Sequence, residues 1–106
     1  MLSGRSQVSL VDKVVCEAIQ ERRLVEFSLH GLLRIAEVHL YGTHRGRPQM
    51  LVYQVGGASK SGGLPHWRRV ALEDVSGLRL LDGHFTETRL SEPRPAGWDG
   101  VFLVVR

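Results

Sequence analysis

One cysteine, Cys16, stands among 106 residues, so no disulfide can close within the chain. A domain without cross-links rests on its buried apolar core, and this cysteine usage suits a reducing compartment, so we expect the cytoplasm. Long apolar runs are missing too. The longest, Val101 to Val105, has five residues, against the roughly 20 that a bilayer-spanning helix needs. Met1 to Arg5 lacks the apolar region of a secretory leader. No basic run reaches five, although Lys and Arg number 14 against 11 Asp and Glu, for a net charge of +3. That balance reads first as a solvated, mildly cationic surface and leaves an anionic partner open, without providing a basic run.

Signatures of catalysis and metal binding are also absent. The five histidines, His30, His39, His44, His66 and His84, form no HxxxH pair, and no CxxC exists. They read as scattered surface or loop residues, and no metal is expected. The segment Gly57-Ala58-Ser59-Lys60-Ser61-Gly62 fails as a phosphate loop. Ser59 stands where glycine must precede the lysine, the upstream glycine is missing, and a strand follows instead of a helix. What remains is a flexible loop whose amides and Lys60 suit an anion. No GxSxG elbow occurs, and neither the acids nor Cys16 sit beside an evident base. The chain therefore reads as no enzyme, and no cofactor is expected.

What the sequence does contain is ordered patterning. A hydrophobic share of 42% with 24% charged residues is ordinary for a globular protein, and residues 1–106 fit one domain. Val8, Val11, Val15, Ala18 and Ile19 recur at helical spacing, which predicts a helix from Val8 to Arg22. Ser6 or Ser9 is placed to cap its start, and Arg22 and Arg23 to meet the dipole at its end. Cys16 on this helix reads as a small buried or half-buried hydrophobe.

The period then shifts to two. Strands are predicted at 24–30, 33–41, 49–55, 67–72 and 77–81, with a hairpin loop at 42–48 and a turn or helical turn at 73–76. The loop Gly56 to His66 is rich in glycine and serine, and residues 86–100 are irregular. Val101 to Val105 is apolar without alternation, which predicts a strand covered on both faces. Such a strand invites pairing with a second copy, so a homo-oligomer, a dimer first, is expected. One helix followed by five or six short strands describes a mainly β domain, a small antiparallel barrel capped by its helix.

From Val14 to Phe85 the chain resembles the WYL domain family in its small stand-alone form. The resemblance is carried by Ala18 to Arg23 followed by Val25-Glu26-Phe27, by Arg34 to Gly42, and by Tyr53 to Gly57 with its serine-glycine loop. It closes on Trp67-Arg68-Arg69-Val70 and Leu72 to Leu78, ending at Phe85. The family's aromatic pair is absent, and Val38, Val70 and Asp74 stand where proline, phenylalanine and arginine are usual. The resemblance implies a bent five-stranded SH3-like barrel of Sm type. It also implies a ligand-sensing or regulatory module of the kind found in bacterial transcription regulators, with nucleic acid or nucleotides among its ligands.

Arg34 and Arg68 match the family's arginines. Alternation puts Arg68 on one strand face with Val70 and Leu72, and Arg69 on the other with Trp67. An inward arginine is costly unless it is paired or lines a pocket. Two readings of Arg68 therefore stand: a structural pair with Glu37, Glu73 or Asp74, or an anion-binding group at the barrel mouth. The first functional expectation is a module for an anionic small molecule or nucleotide, using Arg34, Tyr53, Ser59, Lys60, Ser61 and Arg68. The alternative is a nucleic-acid module in which Arg45, Arg47, Trp67 and Arg69 meet the phosphate backbone, or a purely structural oligomer. Tyr53 and Trp67 suit stacking on a base or ring, and core packing is the competing role for Tyr53.

Overall fold

The computed structural model describes residues 3–58, 66–87, 89 and 97–105, with side chains except those of 3–9 and 66. The order is helix α1 (Ser3–Glu21), strands β1 (Arg23–Leu29), β2 (Leu32–His44), β3 (Arg47–Gly57) and β4 (His66–Ala71), and a 3-10 turn (Leu72–Asp74). Strands β5 (Val75–His84) and β6 (Gly100–Val104) follow. All pairings are antiparallel, in the order β4-β3-β2-β1-β5. Among the described residues no pairing joins β4 to β5, so the sheet is open. The sixth strand belongs to the same sheet. It pairs residues 40–43 of β2, along the edge where β1, which pairs residues 32–37, has already left off.

Helix α1 begins earlier than its apolar period predicts and stops after Glu21, because Arg22, with a left-handed φ of 54°, breaks the helical run. Arg23 belongs to β1, so it does not cap the helix as expected; its Nε donates to the Leu81 carbonyl at 3.0 Å. The predicted face holds: Val15, Ala18 and Ile19 are buried and Val11 packs beside them. They meet Val25 and Phe27 of β1, Ala36, Val38 and Tyr41 of β2, and Met50 and Val52 of β3. Each large apolar side chain buried this way contributes about 1.5–3 kcal/mol.

The predicted hairpin loop at 42–48 shrinks to Arg45-Gly46, because both strands run on to the pair His44 and Arg47. Arg45 and Gly46 have φ of 53° and 76°, and His30 and Gly31 have 53° and 78°. Two successive left-handed residues make the tight turn whose twist matches that of paired strands. Both hairpins therefore carry X-Gly at their tips.

β6 departs from its expectation. Phe102 is 58% exposed and the strand's other residues before Val105 are half-buried, so this chain alone does not cover both faces. Phe102 is the extra residue at a register shift against β2, and its ring meets Tyr41 edge-on at 4.9 Å.

The contact between helix and sheet contains one polar pair. The buried Tyr41 hydroxyl donates to Asp12 Oδ1 at 2.6 Å. Burial first, and then this hydrogen bond, raise the Tyr41 pKa well above its ordinary value. Burial and the Asp12 charge likewise push up the Cys16 thiol, which keeps it protonated near neutrality. In the unfolded chain a tyrosine titrates near pH ~10. The folded protein holds that proton longer, so Tyr41's contribution is whole below pH ~10 and is lost as pH rises through the folded-state value. Urea unfolding is expected to show stability falling between pH ~9 and pH ~11, and falling less in Tyr41→Phe. At pH 7 the variant is expected to be about 1 kcal/mol weaker. Parallel pH profiles for the two proteins would show that Tyr41 does not drive the loss.

Candidate functional site

Register decides which side chains meet. Val38, Val52 and Arg68 lie opposite one another across β2, β3 and β4, as do Tyr41, Met50 and Val70. Arg68 thus projects from the face that packs on α1, in the company the alternation predicts. Arg34 lies opposite Phe27 of β1 on that same face, and Ala36 lies opposite Gln54. Arg34, Gln54 and Arg68 therefore share one face at the end of the sheet where β3 runs out.

Arg34 is 1% exposed, and Gln54 is fully buried. Arg34 Nη1 donates to Gln54 Oε1 at 3.3 Å, while its buried Nε has no acceptor among the described residues. Gln54 Nε2 spends both protons on the carbonyls of Gly56 and Ala58, at 3.0 and 2.9 Å. The amide thereby holds the exit of β3 and offers Arg34 only its oxygen. Among the described residues no carboxylate pairs with Arg34. Burial first, and then the Arg68 guanidinium, lower the Arg34 pKa from its ordinary value. Arginine nonetheless keeps its proton in proteins, so a cation is enclosed here beside a second cation.

A bulge makes this placement possible. Gly56 and Gly57 pair Ile35 and Arg34, yet Gln54 pairs Ala36, so Val55 is the extra residue. Gly57 turns the chain with φ of 82°, and Ala58 N donates to the Leu33 carbonyl at 2.8 Å.

The three acids considered as partners of Arg68 are engaged elsewhere. Arg47 Nη2 lies 2.7 Å from Glu73 and 3.9 Å from Asp74. Glu37 lies on the opposite face of the sheet, in line with Tyr53 and Trp67. It is 4% exposed and meets His39 Nε2 at 2.8 Å, while Arg89 Nε and Nη2 donate to its two oxygens at 2.7 and 3.2 Å. The carboxylate hydrogen bond is the main cause raising the Arg89 pKa, against the opposing pull of burial. Arg89 also stacks over the Tyr53 ring at 4.1 Å, and Trp67 meets Tyr53 edge-on at 5.1 Å.

Tyr53 and several histidines stand elsewhere than expected. Tyr53 stands on the face opposite Arg34 and Arg68, so the sheet separates it from them. His39 is not a surface residue: it is fully buried, an extra residue at a β2 register shift, with its ring 4.8 Å from Phe85 and 5.2 Å from Trp67. His44 also lies in β2, half-buried, bonded through Nδ1 to the Gly97 carbonyl, and His66 lies in β4. Ser59, Lys60 and Ser61 lie outside the described residues.

The residues of the nucleic-acid alternative are split. Arg45 is exposed at a hairpin tip, and Arg47 is tied to acids. Trp67, 39% exposed, and Arg69 share the face of Tyr53, where Arg69 lies 5.0 Å over Trp98 and 3.2 Å from His44 Nε2. Sequence reasoning missed Gln54, Glu37 as the hydrogen-bond partner of His39 and ion-pair partner of Arg89, and Gly57. A glutamine inside the otherwise apolar run Met50 to Val55 is the signal that marks Gln54; Arg89, in an irregular segment, carries none.

Among the described residues no group of three His, Cys, Asp or Glu side chains gathers where a metal could sit, and no helix is long and apolar enough to cross a membrane. Compared with family models, curated proteins and solved structures, the chain matches none, so its functional reading rests on the geometry just described.

Proposed function

We propose that this chain is a non-enzymatic ligand-sensing or regulatory module that binds an anionic small molecule or nucleotide, with Arg34 and Arg68 as its receiving groups. One observation carries the reading: a guanidinium 1% exposed, with an open Nε and no carboxylate among the described residues. A charge removed from water without a counter-charge is strongly disfavoured, and an anion relieves that cost. The strand order and the 3-10 turn between β4 and β5 also support closure as a small SH3-like barrel, the architecture implied by the WYL resemblance. The nucleic-acid reading draws less support, because Arg47 is already balanced by Glu73 and Asp74.

The test is thermal melting with sodium sulfate against sodium chloride at equal ionic strength. Saturating sulfate is expected to stabilise the wild type, by about 2.7 kcal/mol at one hundred times its Kd. Arg34→Met and Arg68→Met are expected to fold yet lose that response. Arg34→Met is expected to melt no lower than wild type without sulfate, because it replaces an uncompensated buried charge by an apolar side chain. A wild type that responds to sulfate no more than to chloride would overturn the reading.

A further inference from the structure

We infer that the sheet face turned away from α1 is where two copies of this chain meet, packed face to face about a two-fold axis through a band that runs from Leu33 to Trp67. Arg34 and Arg68 stand on the other face, so this contact is independent of the anion-binding reading.

Five large apolar side chains among the described residues are exposed, and three of them gather here: Leu33 at 51%, Val55 at 37% and Trp67 at 39%. Register makes one band of them. Trp67 of β4 lies opposite Tyr53 of β3, and Val55 follows two residues on. Val55 and Gly56 together stand opposite Ile35 of β2, which is two residues from Leu33. Tyr53 and Ile35 are half-buried within the band. A contiguous apolar patch of this kind marks an interface, and a tryptophan beside a tyrosine is a frequent anchor.

The band carries both a projection and a hollow, which selects a second copy as the occupant. Trp67 projects at one end. Towards the other, Gly56 has no side chain, and a carbon added there would meet nothing nearer than Ile35, at 3.5 Å. A two-fold axis between the two features sets each Trp67 over the other copy's Gly56, so one surface supplies both halves of the contact.

Charge agrees. Side chains around a two-fold axis face copies of themselves, so an unbalanced charge would repel its own copy. The charges at the margin of the band are balanced within the chain. Glu26, opposite Ile35, is held by Arg79 Nε at 2.7 Å, and Glu37, opposite Tyr53, by Arg89 Nε at 2.7 Å. Arg69, two residues beyond Trp67, is drawn over the Trp98 ring at 5.0 Å.

The experiment is sedimentation equilibrium of the full chain over a range of concentrations. A reversible monomer–dimer equilibrium is expected. Leu33→Glu brings like charges to the contact and is expected to weaken it by about tenfold or more. Gly56→Val fills the hollow and is expected to weaken it too, whereas Phe102→Ser on β6 is expected to leave it unchanged. Melting at dilutions where every variant is monomeric checks folding, and Leu33→Glu is expected to melt as the wild type does, because Leu33 is already exposed. If Gly56→Val does not fold, Leu33→Glu alone carries the comparison. Sulfate is expected to stabilise Leu33→Glu as it does the wild type, so failure of either reading leaves the other standing. A wild type that is monomeric at every concentration would overturn the inference. A dimer that Leu33→Glu leaves intact and Phe102→Ser disrupts would overturn it as well, and would move the contact to β6. A monomer whose binding to a thymidine oligonucleotide is lost in Leu33→Glu would give the face to nucleic acid instead.

Discussion

Replacing Arg89 with methionine is expected to lower folding stability by about 3 kcal/mol, the lower end of the range for breaking a buried ion pair. The reason lies in what is left behind. Glu37 is 4% exposed, and Arg89 supplies two of its hydrogen bonds, at 2.7 and 3.2 Å. Without the guanidinium the carboxylate keeps, among the described residues, only His39 at 2.8 Å. The stack of Arg89 on Tyr53 is lost as well, a contact worth about 0.5–2 kcal/mol. The Arg89 side chain is itself 28% exposed, and solvent screening there is why the lower end applies.

Two variants isolate the pair. In Glu37→Leu with Arg89→Met both charges are gone, so much of the loss is expected to return, less the hydrogen bond owed to His39. Urea unfolding of the single and double variants measures the coupling. A single variant within about 1 kcal/mol of wild type would place this pair with exposed salt bridges of little worth.

Gly57→Ala is expected to cost about 3 kcal/mol, for two separable reasons. A left-handed φ of 82° penalises any Cβ, by about 1–2 kcal/mol. The added carbon would also run into the Leu33 carbonyl oxygen and come within 2.7 Å of Arg34 Cα. Backbone cannot swing aside as a side-chain tip can, so β2 or β3 must shift, and overpacking of this kind costs about 1–3 kcal/mol. Gly77→Ala is the matched control. Its φ of 64° is also left-handed, but nothing lies within 4 Å of the added carbon. Only the backbone penalty is expected there, and the difference between the two variants reports the collision beside Arg34. Equal costs for both would mean that β3 leaves β2 with room to spare.

Gly57 also shows why a site is harder to read than a fold. The helix was legible because Val11, Val15, Ala18 and Ile19 recur at a spacing that only a helix turns to one side. The strands were legible because alternation in segments such as Val25-Glu26-Phe27-Ser28-Leu29 has a period of two, and the structure buries Val25, Phe27 and Leu29 as that period requires. Alternation placed Arg68 with Val70, and the sheet keeps them on one face. These are local properties, since the next residue along the chain decides which way a side chain points.

Alternation fails wherever the backbone inserts a residue. Val55 and His39 each occupy an extra position in the pairing of β2 with β3. One extra residue exchanges the two faces of everything beyond it; His39 itself stays on the face of Glu37, buried against Trp67 and Phe85. No sequence period announces a bulge, because it exists only relative to a partner strand.

By itself, then, the sequence determined a helix, the strands that follow it, and one arginine, Arg68, on an inward face, because each depends on residues a few positions apart. Only the tertiary structure decided that Gln54 meets Arg34 across twenty positions and that Arg89 meets Glu37 across fifty-two. It also assigned Tyr53 to Arg89 and not to the face of Arg34. Ion pairs and hydrogen bonds act over a few ångströms in space, and chain separation says nothing about that distance until register, twist and bulge have set it.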